Sequence, residues 1–346
     1  MINRQSMFKP FIVATLVSPF VFAQATPPAA TQKNLQPGDV ATILLQIKQT
    51  SIPTIPAADY VVTGNQKFDG WFLKANRLIF KKNATLVFSR TALQSRRVFY
   101  IVAQEVDMED NSAPGTIAWE QPPTSTAPAS SGQAATGPYP SGAGHPGDIG
   151  NAGPTGESAP TLYFTVLAIP GSGPKVDFRG QPGGIGGQGQ KGGSGAAGGG
   201  GASAAQNLFN CMHGAGNGGD GGQGGPGGPG GNPGAGGSGG TVTILSSANL
   251  LPALTSRVRV LVSGGVAGQP GSGGPGGDGG PGGPGGAQQL PYCQGNGANG
   301  RTGGPGTQGP AGQADNGALK GTDGDLLVGA ITPADFTNFV YGGGQP

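Results

Sequence analysis

The chain has 346 residues, of which 73 are glycine and 32 are proline, while charged residues make up only 10% and aromatic residues 6%. This composition is typical of collagen-like or low-complexity chains and argues against one conventional core, because too few large apolar side chains are present to fill it. With a formal net charge of only +2, the chain lacks the strongly positive surface that is typical of a nucleic-acid-binding protein, so no nucleic-acid partner is expected.

The N-terminus has the pattern of a secretory signal peptide. A basic start precedes an apolar stretch over 11–22, and Ala23 and Ala25 give the small-x-small cleavage pattern. We therefore predict a signal peptide over 1–25, cleaved after Ala23 or Ala25, and a mature protein that is secreted, extracellular or on the cell surface. An uncleaved anchor is the alternative, and no membrane span is expected once the signal is removed.

The next segments are predicted to lead into β-structure. Residues 26–58 are interpreted as a leader and possible assembly segment, in which the apolar stretch 40–47 fits a helix or a strand equally. Residues 59–112 are interpreted as an N-terminal β region, because the side chains of 98–109 alternate as in a half-buried strand. One face of that strand carries apolar side chains: Val98, Tyr100, Val102, Val106 and Met108.

The other face carries Glu105, Asp107 and Glu109, with Asp110 next. Such carboxylates are able to bind Ca²⁺ or to serve as the acid and base of a polysaccharide-cleaving enzyme. A solvated acidic face is the favoured interpretation. The neighbouring basic residues are interpreted as a solvated strand edge rather than a site for anionic sugars: Arg77, Lys81, Lys82, Arg90, Arg96 and Arg97.

The rest of the chain alternates β stretches with glycine runs. Residues 113–160 are predicted to be a Pro/Ser/Gly-rich, collagen-like insert, with five Gly-X-Y triplets from Gly144. Residues 161–324 contain two repeats, which start at TLYFTVL and TVTILSS, and 325–346 are predicted to form a capping strand. A related first unit is aligned from Thr85, matching Thr85 with Thr241.

The predicted fold is therefore mainly β. Stacked strand repeats, arranged as a solenoid or a sandwich, carry long Gly/Pro-rich excursions, and few or no helices follow the signal peptide.

The glycine runs repeat with a period of three, as in GNGGDGGQGGPGGPGG at 216–231. This is the period of the polyglycine II helix, which has no internal hydrogen bonds and must bond to its neighbours. Glycine lets backbones approach closely enough for such bonds. We expect the runs to pack side by side within one chain, with the β stack setting their register. A trimeric collagen helix and disorder are the alternatives.

These Gly-Gly-X runs resemble the glycine-rich sandwiches of phage tail-fibre tip adhesins and the glycine-rich springtail antifreeze proteins, two families that pack polyglycine II helices. With the signal peptide, the chain looks most like a secreted bacterial collagen-like or glycine-rich repeat protein. The antifreeze family has small residues on a flat ice face, whereas the third positions here are mostly Pro, Asp and Gln.

The two cysteines occupy equivalent places in the two repeats, at the ends of AQNLFNC and AQQLPYC. In an oxidising compartment, Cys211 and Cys293 are predicted to form a disulfide within one chain, with intermolecular pairing or free thiols as alternatives. No metal site is expected, because His213 has only Cys211 near it in sequence and His145 is distant.

The sequence has no recognisable catalytic constellation or phosphate loop, so no enzyme activity, catalytic residue or cofactor is expected. We expect a structural protein of the cell surface or extracellular matrix that self-associates. The hypothesis for assembly is a head-to-tail filament joining one subunit's N-terminal segment to the next one's last strand; caps folded onto their own chain are the alternative. A glycan-binding adhesin and an ice-binding protein are the alternative functions.

Overall fold

The computed structural model describes residues 31–49, 58–123, 142–313 and 320–340, which are mainly β with few helices. The strands are β1 (Gln32–Asn34), β2 (Tyr60–Val62), β3 (Asn65–Phe68), β4 (Phe72–Phe80), β5 (Thr85–Phe88), β6 (Val98–Met108), β7 (Thr116–Trp119), β8 (Thr161–Ala168), β9 (Lys175–Asp177), β10 (Ala205–Gln206), β11 (Cys211–His213), β12 (Val242–Ser247), β13 (Arg259–Leu261) and β14 (Leu326–Ile331). The helices are α1 (Pro37–Gln49), α2 (Arg90–Ser95), α3 (Leu251–Arg257) and α4 (Pro333–Val340).

Two parallel sheets form the base of the molecule. The large sheet has seven strands in the order β1-β14-β12-β8-β6-β4-β2, and the small sheet has five in the order β13-β9-β7-β5-β3. Every strand pair in both sheets is parallel. From β2 to β9 the chain alternates between the sheets, so successive strands of each sheet lie next to each other.

The main core lies between the two sheets. Apolar side chains from both sheets are fully buried there, and the rings of Phe88 and Phe99 stack with centroids 4.1 Å apart. A second apolar cluster covers the other face of the large sheet, where Val40 and Leu44 of α1 and Phe336 of α4 are buried together with Tyr100 and Leu245. Strands buried on both faces are typical of parallel sheets.

The second cluster corrects the predicted alternation of β6. Val106 and Met108 belong to the core between the sheets, whereas Tyr100 and Val102 face the helices on the opposite side. The predicted single apolar face is therefore wrong, because the alternation changes phase between Ala103 and Val106. Apolar side chains on both faces of the first part of the strand hide this change from sequence periodicity.

The alignment of the first repeat is also wrong. Thr85 begins β5 in the small sheet, whereas its aligned partner, Thr241, precedes β12 in the large sheet. A short alternating apolar pattern fits a strand of either sheet, so it does not identify equivalent positions. In both aligned units the strand is followed by a short helix, α2 after β5 and α3 after β12.

Strand β7 falls within 113–160, so the N-terminal β region extends beyond its predicted boundary at residue 112.

The N-terminal segment packs against β14, which is the last strand of the large sheet in chain order. Stretch 40–47, for which helix and strand were equally compatible, is part of α1. Strand β1 pairs with β14 in parallel, and Lys33 forms an ion pair of 2.5 Å with Asp325. The two segments of the filament hypothesis thus contact each other within one chain, as its alternative requires.

Five glycine runs project from one end of the sheets: run 1 (144–159), run 2 (180–204), run 3 (216–240), run 4 (263–286) and run 5 (297–313 and 320–324). Each run after the first donates backbone hydrogen bonds to the run before it, with antiparallel registers; Gly193 to His145 and Gly225 to Gly193 are examples, both 2.8 Å. Runs 1, 3 and 5 are also joined in parallel, as are runs 2 and 4. The runs therefore form two layers within one chain.

The two layers continue the two sheets. Runs 1, 3 and 5 lead into β8, β12 and β14, which are neighbours in the large sheet, while runs 2 and 4 follow β9 and β13 in the small sheet. The backbone N–H of Leu162 donates to the carbonyl of Thr241 beside the sheet, and the backbone N–H of Gly144 donates to that of Gln223 in the glycine layer. The donor and the acceptor are separated by the same number of residues in both bonds. The register of these runs is thus the register of the strands next to them.

Candidate functional site

The acidic face of β6 is paired with the basic residues of the neighbouring strand. Arg77 lies 3.0 Å from Asp107 and 3.5 Å from Glu105, and Lys81 lies 2.7 Å from Glu109. The hydrogen bond from Lys81 keeps the pKa of Glu109 below its usual value. This cross-strand ladder pairs the three carboxylates with cations.

Asp110 continues the ladder at the end of β6. It lies 3.3 Å from Lys82 and accepts hydrogen bonds from the hydroxyl and backbone N–H of Ser112. These hydrogen bonds, that of the Ser112 hydroxyl foremost, lower the pKa of Asp110. Its contacts are those of a loop anchor after the strand.

Two of the remaining arginines of the basic segment hold the glycine layer to the β base. Arg90 and Arg97 pair with Glu157 of run 1 at 3.2 and 3.0 Å, and Arg97 also donates to the carbonyl of Ser158. Arg96 stacks over Trp71, with its guanidinium carbon 4.5 Å from the ring centroid. The segment is therefore bound largely to protein groups instead of forming an open anion site.

A less exposed ion cluster lies where run 2 leaves the small sheet. The Asp177 side chain is only 14% exposed and lies 2.7 Å from Arg179 and 2.9 Å from Lys175. Burial acts to raise the pKa of Asp177, but the hydrogen bonds from Arg179 and Lys175 outweigh it and leave the pKa below its usual value. This cluster was not predicted from the sequence, because three charges that alternate along a strand end have the pattern of a solvated face.

The predicted disulfide is confirmed. Cys211 and Cys293 are bonded within one chain, with their Cα atoms 4.9 Å apart. Each lies in a turn far along the chain from the sheets: 205–215 joins runs 2 and 3, and 287–296 joins runs 4 and 5. We call these two turns the tip. The other predicted site residues, Ala23 and Ala25, lie outside the described residues.

Hydrogen bonds as well as the disulfide hold the two turns of the tip together. The backbone N–H of Gln206 donates to the side chain of Gln289, and the amide group of Gln206 donates to the carbonyl of Leu290. The same amide group accepts from the backbone N–H of Tyr292 at 3.0 Å. Strands β10 and β11 form a small hairpin in the first turn.

His213 lies in β11 of the tip, whereas His145 lies in run 1. Across the described ranges, no group of three or more His, Cys, Asp or Glu side chains is placed to hold a metal ion. None of the helices in those ranges is long and apolar enough to cross a bilayer.

Comparison of the chain with protein-family models, with curated proteins and with solved structures found no match.

Proposed function

We propose that the protein is a secreted, non-enzymatic structural protein in which the glycine layers form a rigid arm on a β base. The observation that carries this proposal is the lateral hydrogen bonding of the five runs, in which one bond follows another at every third residue. For example, the backbone N–H of Gly224 donates to run 5 and that of Gly225 donates to run 2. The third residue of this triplet is Pro226, which has no backbone N–H group to donate. Such cross-linking resists bending in a way that a flexible glycine linker does not.

The runs are proposed to be polyglycine II helices, because their bonds are lateral and recur with a period of three. At the rise of about 3.1 Å per residue of this helix, run 2 would extend about 75 Å from the small sheet. The order of the strands supports a solenoid as the description of the base, since strands of successive turns stack in chain order in both sheets.

Secretion is supported by two features. The N-terminal sequence fits a signal peptide, and the disulfide of the tip is a bond that persists in oxidising compartments. In a cell-surface or matrix setting, the arm would hold the tip at a distance from the base. Self-association and glycan binding are not needed for this role.

Small-angle X-ray scattering of the mature protein, combined with amide hydrogen exchange, tests the proposal. We expect an elongated particle and slow exchange for glycine N–H groups of run 3, such as Gly225, because they are bonded on the inside of the layers. A flexible-coil scattering profile, with glycine amides exchanging at the rate of an unfolded peptide, would overturn it. Micromolar binding to a glycan array, or thermal hysteresis in ice, would instead favour the adhesin or the ice-binding alternative.

A further inference from the structure

The tip carries a cluster of exposed apolar side chains that the structural role does not use. Leu208 and Phe209 are 82% and 83% exposed, and Met212 is 67% exposed. Leu290 and Tyr292 of the second turn are exposed beside them. The disulfide brings these two groups together at one end of the molecule. Exposed apolar patches of this kind mark surfaces that contact proteins or membranes.

The apex of the first turn is held so that its apolar side chains point outward. The side-chain oxygen of Asn207 accepts hydrogen bonds from the backbone N–H groups of Phe209 and Asn210, both at 2.8 Å. In the second turn, Gln289 and Cys293 exchange two backbone hydrogen bonds. These polar groups already have partners within the tip, which lowers the cost of removing them from water.

The tip also has none of the permanently charged residue types, and its titratable side chains are those of His213 and Tyr292. Neither 205–215 nor 287–296 contains a Lys, Arg, Asp or Glu residue. Charged side chains are costly inside a bilayer, and the tip would not bring Lys, Arg, Asp or Glu side chains into one. The tip also has no cluster of Lys and Arg, which is the feature that anionic membranes recruit. Protein interfaces usually combine their apolar centre with a polar rim and with hydrogen bonds to the partner. Most of the Asn and Gln side chains of the tip already bond to groups of the tip itself: those of Gln206, Asn207, Gln288, Gln289, Gln294 and Asn296. The tip therefore offers mainly its apolar side chains and a tyrosine, which suits the boundary between headgroups and acyl chains.

We propose that the tip inserts into the surface of a lipid bilayer whose headgroups carry no net charge. This inference rests on the proposed function, because a rigid arm is what would present the tip to a membrane. Leu208 and Phe209 enter the acyl region first, followed by Met212, Leu290 and the ring of Tyr292. The absence of Lys, Arg, Asp and Glu from the tip matches the absence of net charge on the lipid surface.

Flotation of the mature protein with phosphatidylcholine vesicles tests the inference. Wild type is expected to float with the vesicles, and the double variant Leu208→Ser/Phe209→Ser to lose at least tenfold of the bound fraction. Ile149→Ser and Val266→Ser are matched controls, because these apolar side chains are also exposed but lie on runs 1 and 4. Both are expected to bind as wild type does. Scattering and disulfide mapping of each variant verify that the arm and the tip are intact.

Three results would overturn the inference: no flotation of wild type, equal flotation of the double variant, or binding that requires anionic lipid. Capture of a glycan or a protein by the tip without vesicle binding would overturn it as well. An extended particle that fails to float leaves the arm in place and removes only the membrane partner. A flexible particle would instead remove the proposed function.

Discussion

At the residue scale, the contacts of the glycine layers explain which positions are glycine. A Cβ atom added to Gly225 would lie 2.0 Å from the carbonyl oxygen of His145, and one added to Gly224 would lie 2.1 Å from that of Gly277. Both positions face neighbouring runs, so run 3 has the pattern Gly-Gly-X. Run 1 lies at the edge of the layers, and its Asp148 and Ile149 are exposed. The Gly-X-Y triplets that resemble collagen are thus the pattern of an edge run.

Adjacent glycines of run 5 provide a matched test. A Cβ atom on Gly303 would lie 1.9 Å from the carbonyl oxygen of Gly222, whereas one on Gly304 would meet nothing within 4 Å. Gly303→Ala is expected to destabilise the protein by about 1–3 kcal/mol, as overpacking does. Gly304→Ala is expected to be neutral or to stabilise by about 0.4–1 kcal/mol, because it restricts the unfolded chain. Thermal unfolding compares the two variants, and equal melting temperatures would contradict the packing.

At the element scale, the sheets set the register and the glycine runs keep it through their period of three. One departure is visible in run 5: between the bond from Gly230 to Pro310 and the bond from Gly239 to Thr322, run 5 spans three residues more than run 3. The addition is one whole triplet, which leaves every glycine beyond it in its proper phase. The stability of such a layer therefore depends on which residue of each triplet faces the neighbouring run, and not on the number of triplets in the run.

Insertions into run 5 test this dependence. One alanine inserted after Thr307 shifts the phase, so that the side chains of Gln308 and Ala311 fall where Gly309 and Gly312 now face the carbonyls of run 3. Duplication of the triplet 306–308 keeps the phase. We expect the single insertion to lower the melting temperature at least three times as much as the triplet does. Calorimetry measures both, and a larger effect of the triplet would show that length, not phase, governs the layer.

The sequence predicted the mainly β class, the disulfide and the lateral packing of the runs, because period three and paired repeats are local patterns. The sequence-based prediction was wrong where the result depends on which other elements cover a face of a strand or pair with it. The phase change in β6 depends on the helices that cover Tyr100 and Val102, and the sheet of β5 depends on long-range pairing. The apolar tip was not predicted either: Leu208 and Phe209 form too short a stretch to distinguish exposure from burial, and their exposure is a structural fact.

At the scale of the whole molecule, the N-terminal segment closes the large sheet. Strand β1 covers the backbone edge of β14, and α1 buries Val40 and Leu44 on the outer face of the same sheet. An uncovered strand edge invites pairing with another chain. Within one chain the segment therefore acts as a cap, while the same contact made between chains would give the head-to-tail filament.

Removal of residues 31–49 separates these two roles. If the segment caps its own chain, the full-length mature protein is a monomer and the truncated protein associates, because the edge of β14 and the apolar side chains of Leu245 and Ile331 become accessible. If the segment links chains, the full-length protein forms fibres and the truncation abolishes them. We expect the first outcome, measured by light scattering after size-exclusion chromatography and by electron microscopy. As a control, Lys33→Ala removes an ion pair between two exposed side chains and is expected to leave the monomer intact, since such pairs contribute about 0–1 kcal/mol. Fibres of the full-length protein that disappear on truncation would contradict the cap and restore the filament.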